Sequence, residues 1–303
     1  MDPLRSNAIT RRTFVAASVG TAAVATSATA LATTFGGADE PSKDRAASGG
    51  ARRGRLKQSV CRWCYGGMPL DELCRNAKSM GLASVELLGE TEWPATKAAG
   101  LTCAVANGPT TIQRGFNRVE HHDEFVKASE RLLPLVAEAG IPAMIVFSGN
   151  RAGLSDSEGM RNCIAGLKRM APIAERCGVT VIMELLNSKV DHKDYQCDRT
   201  PWGVEVVKGV GSPRIKLLYD IYHMQIMEGD VIRTITDHAE HIAHYHTGGV
   251  PGRREIDGAQ ELNYAAICTA IVDKGYTGFL GQEFIPARDP MTSLREAVAI
   301  CDV

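Results

Sequence analysis

Six times between residues 80 and 279 the chain passes from an amphipathic stretch, through a glycine, into a short apolar run: Gly81 before 82–88, Gly100 before 101–105, Gly140 before 143–147, Gly178 before 179–183, Gly211 before 215–219, and Gly275 before Phe279. Glycine adopts the left-handed conformation that ends helices. A short, nearly continuous apolar run with turn signals on both sides is the signature of a strand buried on both faces. The pattern predicts eight strands, at 58–65, 83–89, 102–107, 143–148, 179–185, 215–220, 242–246 and 278–283, with helices between them. Some helix starts are explicit. Ser155-Asp-Ser-Glu158 has the form of a capping box, and Asp289-Pro290 puts proline at a first helical position. Strict alternation of strand and helix implies an α/β fold, and eight units in the 248 residues from 56 to 303 match a (β/α)8 barrel, the TIM barrel. The rival, an open doubly wound sheet, is disfavoured because no GxGxxG follows the first strand.

The segment ahead of this rhythm reads differently. Thr10-Arg-Arg-Thr-Phe-Val15 is a twin-arginine pattern, followed by an uncharged Ala/Val/Thr run to Ala32 that holds two small-x-small cleavage sites, Ala28-Thr-Ala30 and Ala30-Leu-Ala32. Thr, Ser and Gly dilute the run too much for a spanning helix of about 20 strongly apolar residues. Residues 1–32 are therefore expected to be a twin-arginine signal peptide that exports the folded protein from the cytoplasm, with no stable membrane insertion after cleavage. Residues 33–55 have the Gly/Ala/Ser-rich, charged composition of a flexible linker, in which Arg52, Arg53 and Arg55 are solvated. The catalytic domain is expected to occupy 56–303.

A net charge of −1 leans away from nucleic acid as a partner. Of nine cysteines only Cys61 and Cys64 form a CxxC; they lie in an apparent strand and have no second pair to complete a zinc site, so they are read as small buried hydrophobes.

Chemistry enters at the strand ends. Four predicted strands carry a potential metal ligand at or next to their last residue: Glu184, Asp220, His246 and Glu283, separated by 36, 26 and 37 residues. One strand-plus-helix unit of such a barrel takes roughly 31 residues, and its active sites lie at the C-terminal ends of the strands. Three unpaired carboxylates at one rim repel one another, and a divalent cation resolves that conflict. Oxygen-rich ligation with one imidazole suits Mn²⁺ first, then Mg²⁺, Co²⁺ or Zn²⁺. His244 shares the face of His246 one layer deeper and is read as a hydrogen-bonded core residue. His223, one turn after Asp220, overhangs the same mouth, and Arg253 sits on the loop after strand seven, where a fixed cation could hold a substrate oxygen.

Glu184-Leu-Leu-Asn187, the run from Tyr219 to Asp230, Val250-Pro-Gly-Arg253, Glu261-Leu-Asn-Tyr264 and Gly281-Gln-Glu-Phe284 closely resemble the hydroxypyruvate isomerase family of the xylose-isomerase-like barrel superfamily. The resemblance spans most of 56–303. It implies that Glu184, Asp220, His246 and Glu283 hold the metal, that Glu184 and Glu283 are also the catalytic acid/base pair, and that His223 and Arg253 contact substrate. His246 stands where those isomerases carry glutamine and matches the epimerase branch. The expected function is isomerisation of a small keto-acid or keto-sugar through an enediolate; epimerisation at C3 or lysis of a 3-keto-glycoside shares the same first step. An apurinic-endonuclease-type nuclease needs histidines at strands two and three that are absent here, and a silent sugar-binding barrel has no use for a paired acid and base. A homo-oligomer is compatible with this architecture.

Overall fold

In the computed structural model, which describes residues 53–303, eight parallel strands form one sheet: β1 (Lys57–Cys61), β2 (Ser84–Glu86), β3 (Val105–Ala106), β4 (Ala143–Val146), β5 (Thr180–Leu185), β6 (Ile215–Asp220), β7 (Ile242–Thr247) and β8 (Phe279–Gln282). Hydrogen-bonded order runs β2-β1-β8-β7-β6-β5-β4-β3, and the parallel bridges Ser84↔Thr102 and Leu88↔Ala106 join its two ends, bringing the sheet round to a nearly closed barrel. The expected signal peptide and most of the expected linker lie outside the described residues. No helix among the described residues is long and apolar enough to cross a membrane.

The helices follow the strands in turn: α1 (Leu70–Ser79), α2 (Trp93–Ala98), α3 (His122–Glu138), α4 (Asp156–Cys177), α5 (Thr200–Val210), α6 (Ile221–Met227) and α7 (Val231–His238) together after β6, α8 (Tyr264–Asp273) and α9 (Pro290–Ile300). Ser155 caps α4 by accepting the Glu158 amide, and Gly178 at φ 69° ends it in the left-handed conformation. Asp289 caps α9 through the Thr292 amide. The main core lies between sheet and helices. A second cluster, built from Ala104, Val105, Ala143, Ile145, Ile182 and Leu218, fills the barrel interior.

Because side chains alternate along a strand, this interior sets the position of the polar groups above it. Ile182 and Glu184 share one face of β5, Leu218 and Asp220 one face of β6, and His244 and His246 one face of β7. The register pairs Glu184 with Leu218, Leu218 with His244, Asp220 with His246, and His246 with Gly281. Apolar residues thus plug the barrel, and the next inward position on each of these strands carries the ligating type.

Three strands are shorter than the hydrophobic pattern suggests. β1 stops at Cys61 because Arg62–Tyr65 turn into a 3-10 helix. β2 stops at Glu86 because Leu87 takes φ 60°, and β3 retains two paired residues. The loop after β3 is pressed against β4, so a Cβ on Gly108 would lie 2.0 Å from the Ile145 carbonyl oxygen. Backbone cannot yield as a side-chain tip can. Gly108→Ala is therefore expected to cost about 1–3 kcal/mol, read as a lower urea midpoint at unchanged m.

Candidate metal centre and active site

At the C-terminal mouth, Glu184, Asp220, His246 and Glu283 each present one ligand atom, and these atoms all lie within 4.8 Å of one another. All four residues are buried. His246 Nδ1 is 2.8 Å from Glu283 Oε2 and 3.4 Å from Glu184 Oε1. Both approaches suit an ion pair but are poorly aligned for a hydrogen bond, and Nδ1 and Glu184 Oε1 remain without a hydrogen-bond partner.

The other face of the imidazole explains its orientation. His246 Nε2 lies 2.8 Å from Glu86 Oε1, and His244 Nε2 reaches the same oxygen at 2.8 Å. A carboxylate accepts, so Nε2 carries the proton and Nδ1 is the atom free to ligate; a carboxylate behind a ligating histidine commonly fixes its tautomer in this way. Glu86 comes from β2 and crosses the barrel interior to reach β7. Space for that crossing is left by Gly281 on β8, where a Cβ would sit 2.6 Å from Glu86 Oε1 and 2.7 Å from the His246 ring.

Asp220, the last residue of β6, caps α6 by accepting the His223 amide at 3.2 Å, which sets His223 over the mouth. His223 Nδ1 is 2.6 Å from Asn187 Nδ2, and its Nε2 is 2.8 Å from Arg253 Nη1. Arg253 folds inward from the β7 loop. Its Nη2 donates to Asp220 Oδ2 at 3.0 Å and to Glu283 Oε2 at 2.6 Å. The Arg253 backbone is left-handed at φ 56°, a conformation that costs a non-glycine residue energy and needs support. Support comes from its amide on Gly249 O at 2.8 Å and from its carbonyl, which accepts the Ile285 amide at 2.6 Å. Trp63, on the 3-10 turn after β1, donates Nε1–H to Glu283 Oε1 at 2.7 Å. The Arg253 guanidinium lies between the Trp63 and Tyr222 rings, 5.1 and 5.2 Å from their centroids.

Burial pushes the Asp220 carboxyl well up, with only partial relief from Arg253, and burial likewise raises Glu184. Glu283 moves the other way: burial would raise it, but His246 and Arg253 hold it well below the ordinary range. His246 is raised well above its ordinary value, because Glu283 and its other neighbours outweigh the desolvation that would lower it. Desolvation, then Arg253, keeps His223 neutral. Burial opposes ionisation of Glu86, yet its two histidines hold it ionised.

The donor set therefore fits a divalent cation. It offers three converging carboxylates and an imidazole nitrogen of fixed tautomer, including two buried polar atoms that lack partners. It is rich in oxygen, and the nearby Cys61 thiol, raised by burial, stays protonated.

An α/β barrel whose ligating residues converge at the C-terminal mouth belongs to the enzyme class of barrels. Residues 74–301 match the xylose isomerase-like TIM barrel family, and the chain belongs to it. Among curated proteins it is 25% identical over 240 residues to a Homo sapiens protein named "Putative hydroxypyruvate isomerase", covering 73% of this chain and 85% of that one. It is 29% identical over 144 residues to the hydroxypyruvate isomerase of Escherichia coli, covering 48% and 55%. Among solved structures, AP endonuclease family 2 from Brucella melitensis superposes with TM-score 0.72 at 24% identity, covering 79% of this chain and 97% of that one. The 3-keto-D-glucoside 4-epimerase of E. coli does so with TM-score 0.68 at 22%, covering 80% and 98%. Both structural likenesses carry the fold, and the named relatives support an isomerase-type enzyme.

All six residues singled out in the sequence meet at this mouth, and His244 lies below it. Glu86 and Trp63 escaped notice. A lone carboxylate amid Val85, Leu87 and Leu88 was the available signal for Glu86; Trp63 carried none, since 62–65 reads as strand.

Two outcomes follow. Without a cation, the raised pKa of His246 makes its contribution full below its ordinary value near 6.5 and lost as pH rises through the folded value. The raised Asp220 acts in the same direction, so the metal-free protein weakens as pH rises. A cation replaces those protons, and at a hundredfold excess over Kd it is expected to raise Tm by about 5–10 °C. That rise should grow from about pH 6 to pH 8, as calorimetry with and without Mn²⁺ can show. Glu86→Gln should weaken metal binding by roughly 10-fold to 100-fold, measured by titration calorimetry.

Proposed function

We propose that this barrel is a divalent-metal-dependent isomerase, similar to hydroxypyruvate isomerase, that moves a proton next to the carbonyl of a small keto-acid or keto-sugar. One observation carries the reading: Glu184 and Glu283 flank one imidazole, 3.4 and 2.8 Å from His246 Nδ1, where four potential ligand atoms converge at the barrel mouth. Glu184, Asp220, His246 and Glu283 would hold the cation, which when bound supplies electrophilic stabilisation of adjacent carbonyl and hydroxyl oxygens. Glu184 and Glu283, on opposite sides of the imidazole, would serve as the pair that removes the carbon-bound proton and returns one. Arg253 and the neutral His223 present hydrogen-bonding groups toward substrate oxygens. Trp63 closes one side of the mouth and holds Glu283 in place.

Return of the proton to the neighbouring carbon isomerises; return to the same carbon from the opposite face epimerises. The second outcome draws support from His246 at the third ligand position and from the structural likeness to a keto-glucoside epimerase. A nuclease reading draws on the endonuclease likeness alone, and the ends of β2 and β3 offer Glu86 and Asn107 in place of histidines. The twin-arginine pattern supports placing this chemistry outside the cytoplasm.

The test is deuterium incorporation from heavy water into hydroxypyruvate, ketohexoses and 3-keto-glycosides with Mn²⁺ present. Glu184→Gln and Glu283→Gln should each slow exchange by about 10²-fold to 10⁴-fold while the folded protein persists. Exchange undiminished in both variants would remove the acid/base assignment.

A further inference from the structure

The metal mouth opens on two clefts. The inner one, about 430 Å³, reaches Glu184 and Glu283 and is walled by Leu87, Ile145 and Phe147. The outer one, about 390 Å³, lies over Tyr222, Ile226, Val250, Pro251 and Ile285. They meet along a ridge of Trp63, His192 and Arg253, which line both. Pockets for drug-sized molecules run from about 300 to 1,000 Å³, so each cleft alone has the capacity for a sugar ring. A three-carbon keto-acid on the ligands would leave much of the inner cleft and the whole outer cleft to water.

The outer walls have a definite chemistry. Trp63 is 46% exposed and Val190, at the outer rim, is 60% exposed, although both are large apolar side chains. Contiguous apolar surface rimmed by polar groups marks binding sites, and these two side chains line one cleft together with Ile226, Val250 and Pro251. The polar group here is Asp191, whose carboxylate accepts from Tyr222 Oη at 2.8 Å and from Asn187 Nδ2 at 2.7 Å and is thereby held at the cleft edge. An indole and a proline beside an anchored carboxylate match a ring with an apolar face and hydroxyls on its edge.

We propose that the outer cleft is a subsite for the second ring of a glycoside, so that the natural substrate is a keto-sugar in glycosidic linkage: the keto ring lies in the inner cleft, and its aglycone or second sugar lies across Trp63 on Val190 and Ile226. This names the substrate class of the reaction proposed above and rests on that reading for the inner ring only. A free keto-acid occupies no part of the subsite.

Binding tests it without turnover. Glucose, phenyl β-glucoside and cellobiose, none of which carries the reactive ketone, are titrated calorimetrically into the Mn²⁺-loaded full chain. Phenyl glucoside or cellobiose should bind about tenfold tighter than glucose, and which of the two gains more tells an aryl group from a second sugar. Val190→Arg and Ile226→Arg should each abolish the gain while keeping the metal-induced rise in Tm, which reports an intact fold. Equal affinity for all three ligands, no binding of either glycoside, or a gain that survives both substitutions overturns the subsite. Exchange of deuterium into a ketohexose by a protein that fails this test would leave the proton-transfer reading standing; tight glycoside binding without any exchange would do the reverse.

Discussion

Four buried carboxylates crowd one end of this barrel, and like charges at such range in a poorly solvating interior cannot all remain ionised without compensation. Much of the local architecture answers that constraint. Arg253 is drawn in from a loop to bridge Asp220 and Glu283, at the expense of a left-handed backbone. His246 accepts a proton, or cedes that place to a cation, between Glu283 and Glu86. The carboxylates that still lack a full counter-charge, Asp220 and Glu184, are those whose affinity for protons rises. A divalent cation fits this arrangement, and the opposite directions in which Glu184 and Glu283 are shifted come from the same electrostatics.

The site is rigid because almost every member is held twice. Glu283 is gripped by Trp63, Arg253 and His246; His246 by Glu86 behind and the ligand cluster in front; His223 by Asn187 and Arg253. These contacts link β2, the turn after β1, and β5 through β8, so that the geometry is a property of the closed barrel and not of any single loop. Gly281 illustrates the dependence. Its missing side chain is a space through which two strands on either side of β8 communicate.

Much of this was legible before the fold was known, for a physical reason. Glu184 and Asp220 each follow three consecutive nonpolar residues, Val181–Met183 and Leu217–Tyr219, at the C-terminal end of a short strand, where a charged side chain stands out against the apolar letters before it. His246 and Glu283 lie at the ends of β7 and β8 by position alone, because His244, Gly281 and Gln282 interrupt the apolar letters there. Glu86 is less distinct because it falls in the middle of the strand expected over 83–89; the positive φ of Leu87 ends that strand early, and nothing in local composition announces it. Trp63 was hidden by the opposite error, a 3-10 turn whose residues look like more strand. The contacts of Arg253 depend on a loop returning across the mouth, which no local pattern encodes.

The circumference of the mouth is unevenly divided. The ionisable groups at the centre come from β2 and from β5 through β8 with the loop after β7, whereas the arc over β3 and β4 contributes the uncharged Asn107, Gly108, Thr110, Ile112, Ile145 and Phe147. The charged groups and the wall of the inner cleft over β3 and β4 thus occupy different sectors of one ring. A substitution in the β3–β4 arc would therefore change the shape of the inner cleft while leaving the charged groups opposite in place.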